Sequence, residues 1–299
     1  MQKHRTRVVA TALLAVALAA LGMAGVAQAK LTGEYAKFAQ CPYTNTEVFK
    51  CVYSVTEKGE VVLGNKKVPI EKPVTLQGGF GLPVEEKEGA EFYKFYAATN
   101  GITLSKTPQN VPGGLLGIVP DASSPFLVKA LIKFFLENSL TGVNSTLELA
   151  KPASAIKISE NNLAGEIGTA LQLPVKVHLE NPFLGKNCYV GSEGSPITWN
   201  LTTGTTKPAA PNSPITGSTG KAEFFEEGSI LTLKGSKLVD NKWSAPGASG
   251  CGGILSFLVT PIISAQLGST VAGRNTAILE GTLNVASAFA TNENNKEHP

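Results

Sequence analysis

The feature that most narrows what this chain can become is a hydrophobic period of two, repeated in short runs along its length. The run EVFKCVYSVTE (47–57) sets Val48, Lys50, Val52 and Ser54 on one side and Phe49, Cys51, Tyr53 and Val55 on the other. KVPIEKPVTLQ, LPVKVHLEN, SPITWNLTT, SILTLKG and NTAILEGTLNV follow the same rule. Successive side chains of a strand point to opposite faces, so such alternation marks half-buried β-strands. The 31 glycines and 18 prolines that separate the runs supply the turns. Many short strands at close spacing predict a mainly β protein, an antiparallel sandwich or barrel-like architecture with one or two short packed helices.

Two segments leave the period. SSPFLVKALIKFFLEN (123–138) reads as a helix, with Ser124 as its cap, Pro125 in its first turn and Lys129, Lys133 and Glu137 along one polar stripe. CGGILSFLVTPIISAQLG (251–268) is a second apolar segment, interrupted by Pro261. Both are shorter than the roughly 20 apolar residues of a membrane span. They are read as helices packed on a sheet, with membrane insertion as the competing reading.

The N-terminus carries Lys3, Arg5 and Arg7, then an apolar run, then the small residues AQA (27–29). That is the pattern of a signal peptide cleaved after Ala29. The expected organisation is a signal at 1–29, an N-terminal β unit at 30–110, a larger β unit with a helical insert at 111–286 and a disordered tail at 287–299. The two β units are alternatively one continuous domain. Without the three basic leader residues, the 26 basic residues of the chain fall to 23 and equal its 23 acidic ones. A neutral mature chain without a dense basic block offers no footprint for nucleic acid.

Four cysteines, Cys41, Cys51, Cys188 and Cys251, are an even set in a chain read as exported, which favours disulfides. They allow three connectivities. We take Cys41–Cys51, closing a short loop, and Cys188–Cys251 as the expected pairs. Zinc is the competing reading, but no C-x-x-C spacing occurs and histidines are few.

The catalytic vocabulary is thin. Beyond the leader the chain has two histidines, His178 and His298, and two aspartates, Asp121 and Asp240. His178 shares the polar side of its run with Lys176 and Glu180. Ser192 and Ser249 each lack one glycine of the G-x-S-x-G elbow. No H-E-x-x-H and no calcium-loop pattern appears. The cluster Glu85, Glu86, Glu88 and Glu91 reads as a solvated charged loop. No catalytic, cofactor-binding or metal residue is therefore expected, and the chain is read as not an enzyme. Trp199 is expected in the core. Trp243, between turn residues, and Tyr93, on a strand aromatic on both sides, are the candidate ligand contacts.

Several blocks resemble a group of secreted proteins of high-GC Gram-positive bacteria that have no known function. They are FAQCP (38–42), NPFLGKNCYVGS (181–192), PITWNLTTGTT (196–206), LVDNKWSAPGASGCGG (238–253) and GRNTAILEG (273–281). The resemblance implies secretion and a shared fold, and no site residues. The expected function is a secreted or envelope-associated β protein that binds or scaffolds an extracellular or envelope ligand. A membrane-active or pore-forming protein and a glutamate-dependent hydrolase are the alternatives.

Overall fold

The computed structural model describes residues 30–87, 89–114, 130, 142–271 and 273–298. The segment 1–29 expected to be a signal peptide and the helix expected at 123–138, save Ala130, lie outside the described residues.

The fold is mainly antiparallel β. Fourteen strands are present among the described residues: β1 (Lys50–Leu63), β2 (Lys66–Pro69), β3 (Val74–Lys87), β4 (Ala90–Ala97), β5 (Pro108–Asn110), β6 (Asn144–Leu149) and β7 (Lys157–Ile158), then β8 (Leu171–Glu180), β9 (Tyr189–Val190), β10 (Ile197–Leu201), β11 (Lys221–Phe225), β12 (Ile230–Asp240), β13 (Ala248–Ser249) and β14 (Thr276–Ser287). Among the described residues the helices with defined ends are α1 (Glu160–Gly165), α2 (Ser256–Leu267) and α3 (Ala288–Glu297).

All fourteen strands belong to one sheet, ten of them in the order β11-β12-β14-β1-β3-β4-β7-β8-β6-β5, with β2, β9, β10 and β13 off this path. β10 pairs with the first half of β8, Trp199 facing Leu173. The chain leaving β10 then returns to β12. Thr202 and Val239 exchange backbone hydrogen bonds, and so do Ser218 and Lys237. The strands thus run round an apolar interior and meet. Strands from residues 30–110 and 142–287 alternate in the sheet, since β1 lies between β14 and β3.

The alternation seen in sequence is the alternation of burial. In β8, Leu171, Leu173, Val175, Val177 and Leu179 are buried, whereas Gln172, Lys176, His178 and Glu180 are partly exposed. β1 changes parity midway. Its inward residues are Ser54 and Thr56 before a register shift at Thr56/Lys58, and Val61 and Leu63 after it. Such a bulge lets one strand keep its apolar side inward across a bend. Gly59 sits in the bulged stretch at φ +127°, where a Cβ would stand 2.0 Å from the carbonyl oxygen of Ile278. KVPIEKPVTLQ, read as one run, is split at 70–73 into β2 and the start of β3.

The main core centres on Trp199, fully buried with Val175, Ile197 and Leu201. A smaller core, with Tyr35, Phe38, Cys41, Cys51 and Ile230, lies under the N-terminal 3-10 helix Gly33–Phe38. α2 buries Val259, Ile263 and Leu267, spaced four apart on one face. The tail expected to be disordered is α3. Ser287 caps it by accepting from the Ala290 amide, and Asn294 accepts from the Thr32 amide at 3.0 Å. Polar composition hid this helix, which is held by burial of Ala288 and Thr291 together with the cap and the Thr32 contact.

No helix among the described residues is long and apolar enough to cross a membrane.

Candidate functional site

The inward side chains do not fill the space between the strands. The cavity they leave measures ≈ 100 Å³. One buried water needs only about 10–15 Å³ on that measure. The walls are apolar. Val61 on β1 faces Val68 on β2, Leu238 on β12 faces Leu279 on β14, and Leu173 faces Trp199. Leu267, at the C-terminus of α2, also lines the space. Water is held in such a place only where two to four polar partners converge, and an apolar cavity takes apolar guests instead.

The polar groups at the walls are few: Ser54, Thr56, Lys66, Thr107, Gln109 and Ser145. Gln109 is fully engaged. Its Oε1 accepts from the amides of Glu71 and Lys72, and its Nε2 donates to the Lys72 carbonyl. Thr107 shares its hydroxyl with Ser105 at 3.0 Å. Among the described residues Lys66 is the single charged one of the lining. The indole N–H of Trp199 is buried without a hydrogen-bond partner among the described residues, and such orphans are costly in a closed core.

A second recess is polar. Glu85, Lys87, Lys157, Asn162, Thr169, Gln172, Asn200 and Lys242 line it. Lys157 pairs with Glu85, and Gln172 donates to Asn200 at 3.0 Å. Beneath it Asp240 is 1% exposed and accepts from the amides of Asn200 at 2.7 Å and Lys242 at 2.9 Å. Burial pushes the Asp240 carboxyl above its ordinary value, against the pull of those two amides. Its partners are the backbone of β10 and of the turn after β12, so it ties the two together.

The sequence-predicted residues fall as follows. Cys41 bonds to Cys51 and Cys188 to Cys251, as expected. Trp199 is in the core. Trp243 is not an exposed contact: it is 5% exposed, its ring stands 6.0 Å from that of Trp199, and its N–H donates to the Asp240 carbonyl. The turn residues around it fold over it, an arrangement that local composition does not encode. Tyr93 is half-buried, 5.8 Å from the Phe80 ring, and its hydroxyl donates to Glu91. It lines neither recess.

His178 stacks on Tyr189 at 4.4 Å, with Nε2 3.0 Å from the Lys186 carbonyl. Ser192 accepts from the Ser195 amide in a tight turn. Ser249 lies in β13, paired with Tyr189. The acidic cluster is a hairpin rather than a loop, with Glu85 across from Phe92 and Glu86 across from Glu91 in the β3/β4 ladder. Glu88 lies outside the described residues. No group of three or more His, Cys, Asp or Glu placed to hold a metal ion occurs among the described residues.

Sequence reading missed the interior cavity. Its one local signal is Lys66–Ile70, where Lys66, Val68 and Ile70 share the inward side, but that face is known only once β2 is paired with β1. Comparison of the chain with protein-family models, with curated proteins and with solved structures finds no match.

Proposed function

We propose that this is an exported, non-enzymatic β protein that binds an apolar small molecule inside its ring of strands. The observation that carries the reading is the unfilled interior: a well-packed core has few voids larger than a water, whereas this one keeps a space lined by valine and leucine. Small-molecule sites have this composition, apolar walls with a few placed polar groups. The two disulfides are consistent with an extracellular location, and export to the exterior or the envelope is part of the proposal.

The test is titration with a neutral apolar fluorophore, N-phenylnaphthylamine. Because Trp199 lines the cavity, energy transfer from tryptophan should rise and saturate at one probe per chain. Absent or non-saturating transfer overturns the reading.

A second reading has one specific support. Ile254 is 96% exposed and Phe257 78% exposed, side by side at the start of α2, which is the form of an apolar tip for a membrane surface. Co-sedimentation with neutral liposomes, lost on I254S/F257S, supports that reading, and no co-sedimentation of the native chain ends it.

A further inference from the structure

The strand pair β1/β2 places one lysine against the rule that the rest of the wall obeys. Lys66 pairs with Leu63 and Val68 with Val61, so Lys66 and Val68 share the inner side. Lys67, between them, points outward and forms an ion pair with Glu60 at 2.5 Å. The Lys66 side chain has no ion pair or hydrogen bond among the described residues. It is half-buried and lines the cavity beside Leu63.

The polar groups nearest in the chain are already taken. Asn65 donates its amide to the Leu267 carbonyl at 2.8 Å and its side chain to the Gln266 carbonyl at 3.1 Å, which occupies the last carbonyls of α2. The Gln109 amide is spent on Glu71 and Lys72. Partial burial without a counter-ion draws the Lys66 ammonium below its ordinary pKa. An ammonium kept charged against an apolar wall is costly unless an anion meets it.

We propose that the guest of the cavity is a single-chain amphiphile whose anionic head, a carboxylate or a phosphate, is held by Lys66 while its apolar chain lies among Val61, Val68, Leu76 and Leu279. This rests on the cavity-binding reading and deepens it. Lysine is a compact donor of three hydrogen bonds that suits either head, and Ser54 and Thr56, inward on the same strand as Leu63, add hydroxyls to the same wall. The competing account of an inward lysine is protection of a short edge strand from pairing with another chain. It predicts no preference for a charged guest.

The experiment compares dodecanoate, dodecyl phosphate and dodecanol, each displacing N-phenylnaphthylamine from the intact chain at neutral pH. The expected result is that one or both anions bind about tenfold or more tightly than the alcohol, the range set by a charge-assisted hydrogen bond, and the tighter anion names the head. K66M should bring the anion-to-alcohol ratio toward one, K66R should keep it, and the outward K67M should leave it as in the native chain. An alcohol bound as tightly as both anions, or a ratio unchanged in K66M, overturns the assignment of Lys66 while the cavity reading stands. Failure of the neutral fluorophore itself to bind removes both.

Discussion

Thr202 and Val239 exchange two backbone hydrogen bonds of 2.9 Å each, and together with the Ser218–Lys237 pair and the bond from the Asn200 amide to the Asp240 carboxylate they join β10 and the chain leaving it to β12. On its other side β12 is held by β14 along a ladder of ten residue pairs, and its first half, Ile230 to Lys234, also pairs with β11. Opening free energy scales with the local contacts that must break. Among the amides of the sheet, those of Thr202, Ser218, Lys237 and Val239 are therefore expected to exchange with solvent well before those of Leu231 to Leu233 on the same β12. Hydrogen exchange followed by NMR checks this, and uniform protection along β12 contradicts it.

The long-range disulfide should matter more than the local one. Cys188–Cys251 spans 63 residues and Cys41–Cys51 spans 10. Loop-closure entropy puts their contributions near ~4 and ~3 kcal/mol. The first also anchors the turn before α2, where the Thr260 hydroxyl bridges the amide and carbonyl of Cys251. C188A/C251A is expected to lower the denaturant midpoint more than C41A/C51A, each measured by equilibrium unfolding.

Asp240 gives a pH signature with a defined sign. Its folded pKa is raised by burial, so between the ordinary aspartate value near ~4 and the raised value the folded state holds more protons than the unfolded chain. Its contribution to stability is therefore highest below that window and declines as pH rises through it. The difference in unfolding free energy between the native chain and D240N should fall with rising pH across the window and stay level above it. A difference that is flat or rises with pH rejects this assignment.

Filling the cavity should separate binding from folding. Ser54 faces inward from β1, across from Leu76 on β3. S54L places an apolar side chain in the free space, with cost limited because room exists. Neutral-probe affinity is expected to drop about tenfold while the thermal midpoint holds. An undiminished affinity places the probe elsewhere.

What was legible in the sequence, and what was not, divides along a physical line. The alternation in β8 and the burial of Trp199 are local: a residue and its neighbours two positions away decide them. The two cysteine pairs were readable because covalent chemistry restricts four residues to three arrangements. Trp243 was misread because its cover, the ring of Trp199, lies 44 positions away in sequence, and nothing in DNKWSAPG announces that contact. Lys66 and Lys67 are a plain charged pair until β2 is laid against β1, which then sends one inward and one outward. The cavity depends on strand order, and β1 between β14 and β3 is a fact of the whole chain.

That placement constrains when the protein can exist at all. β1 ends at Leu63 and its neighbour β14 begins at Thr276, so the strand made first waits for almost the last. At typical synthesis speeds the interval is on the order of ten to forty seconds, during which β1 has an unoccupied edge. β1 can pair with β2 and β3 on one side early, but its other side gains a neighbour only when the chain has been made through β14.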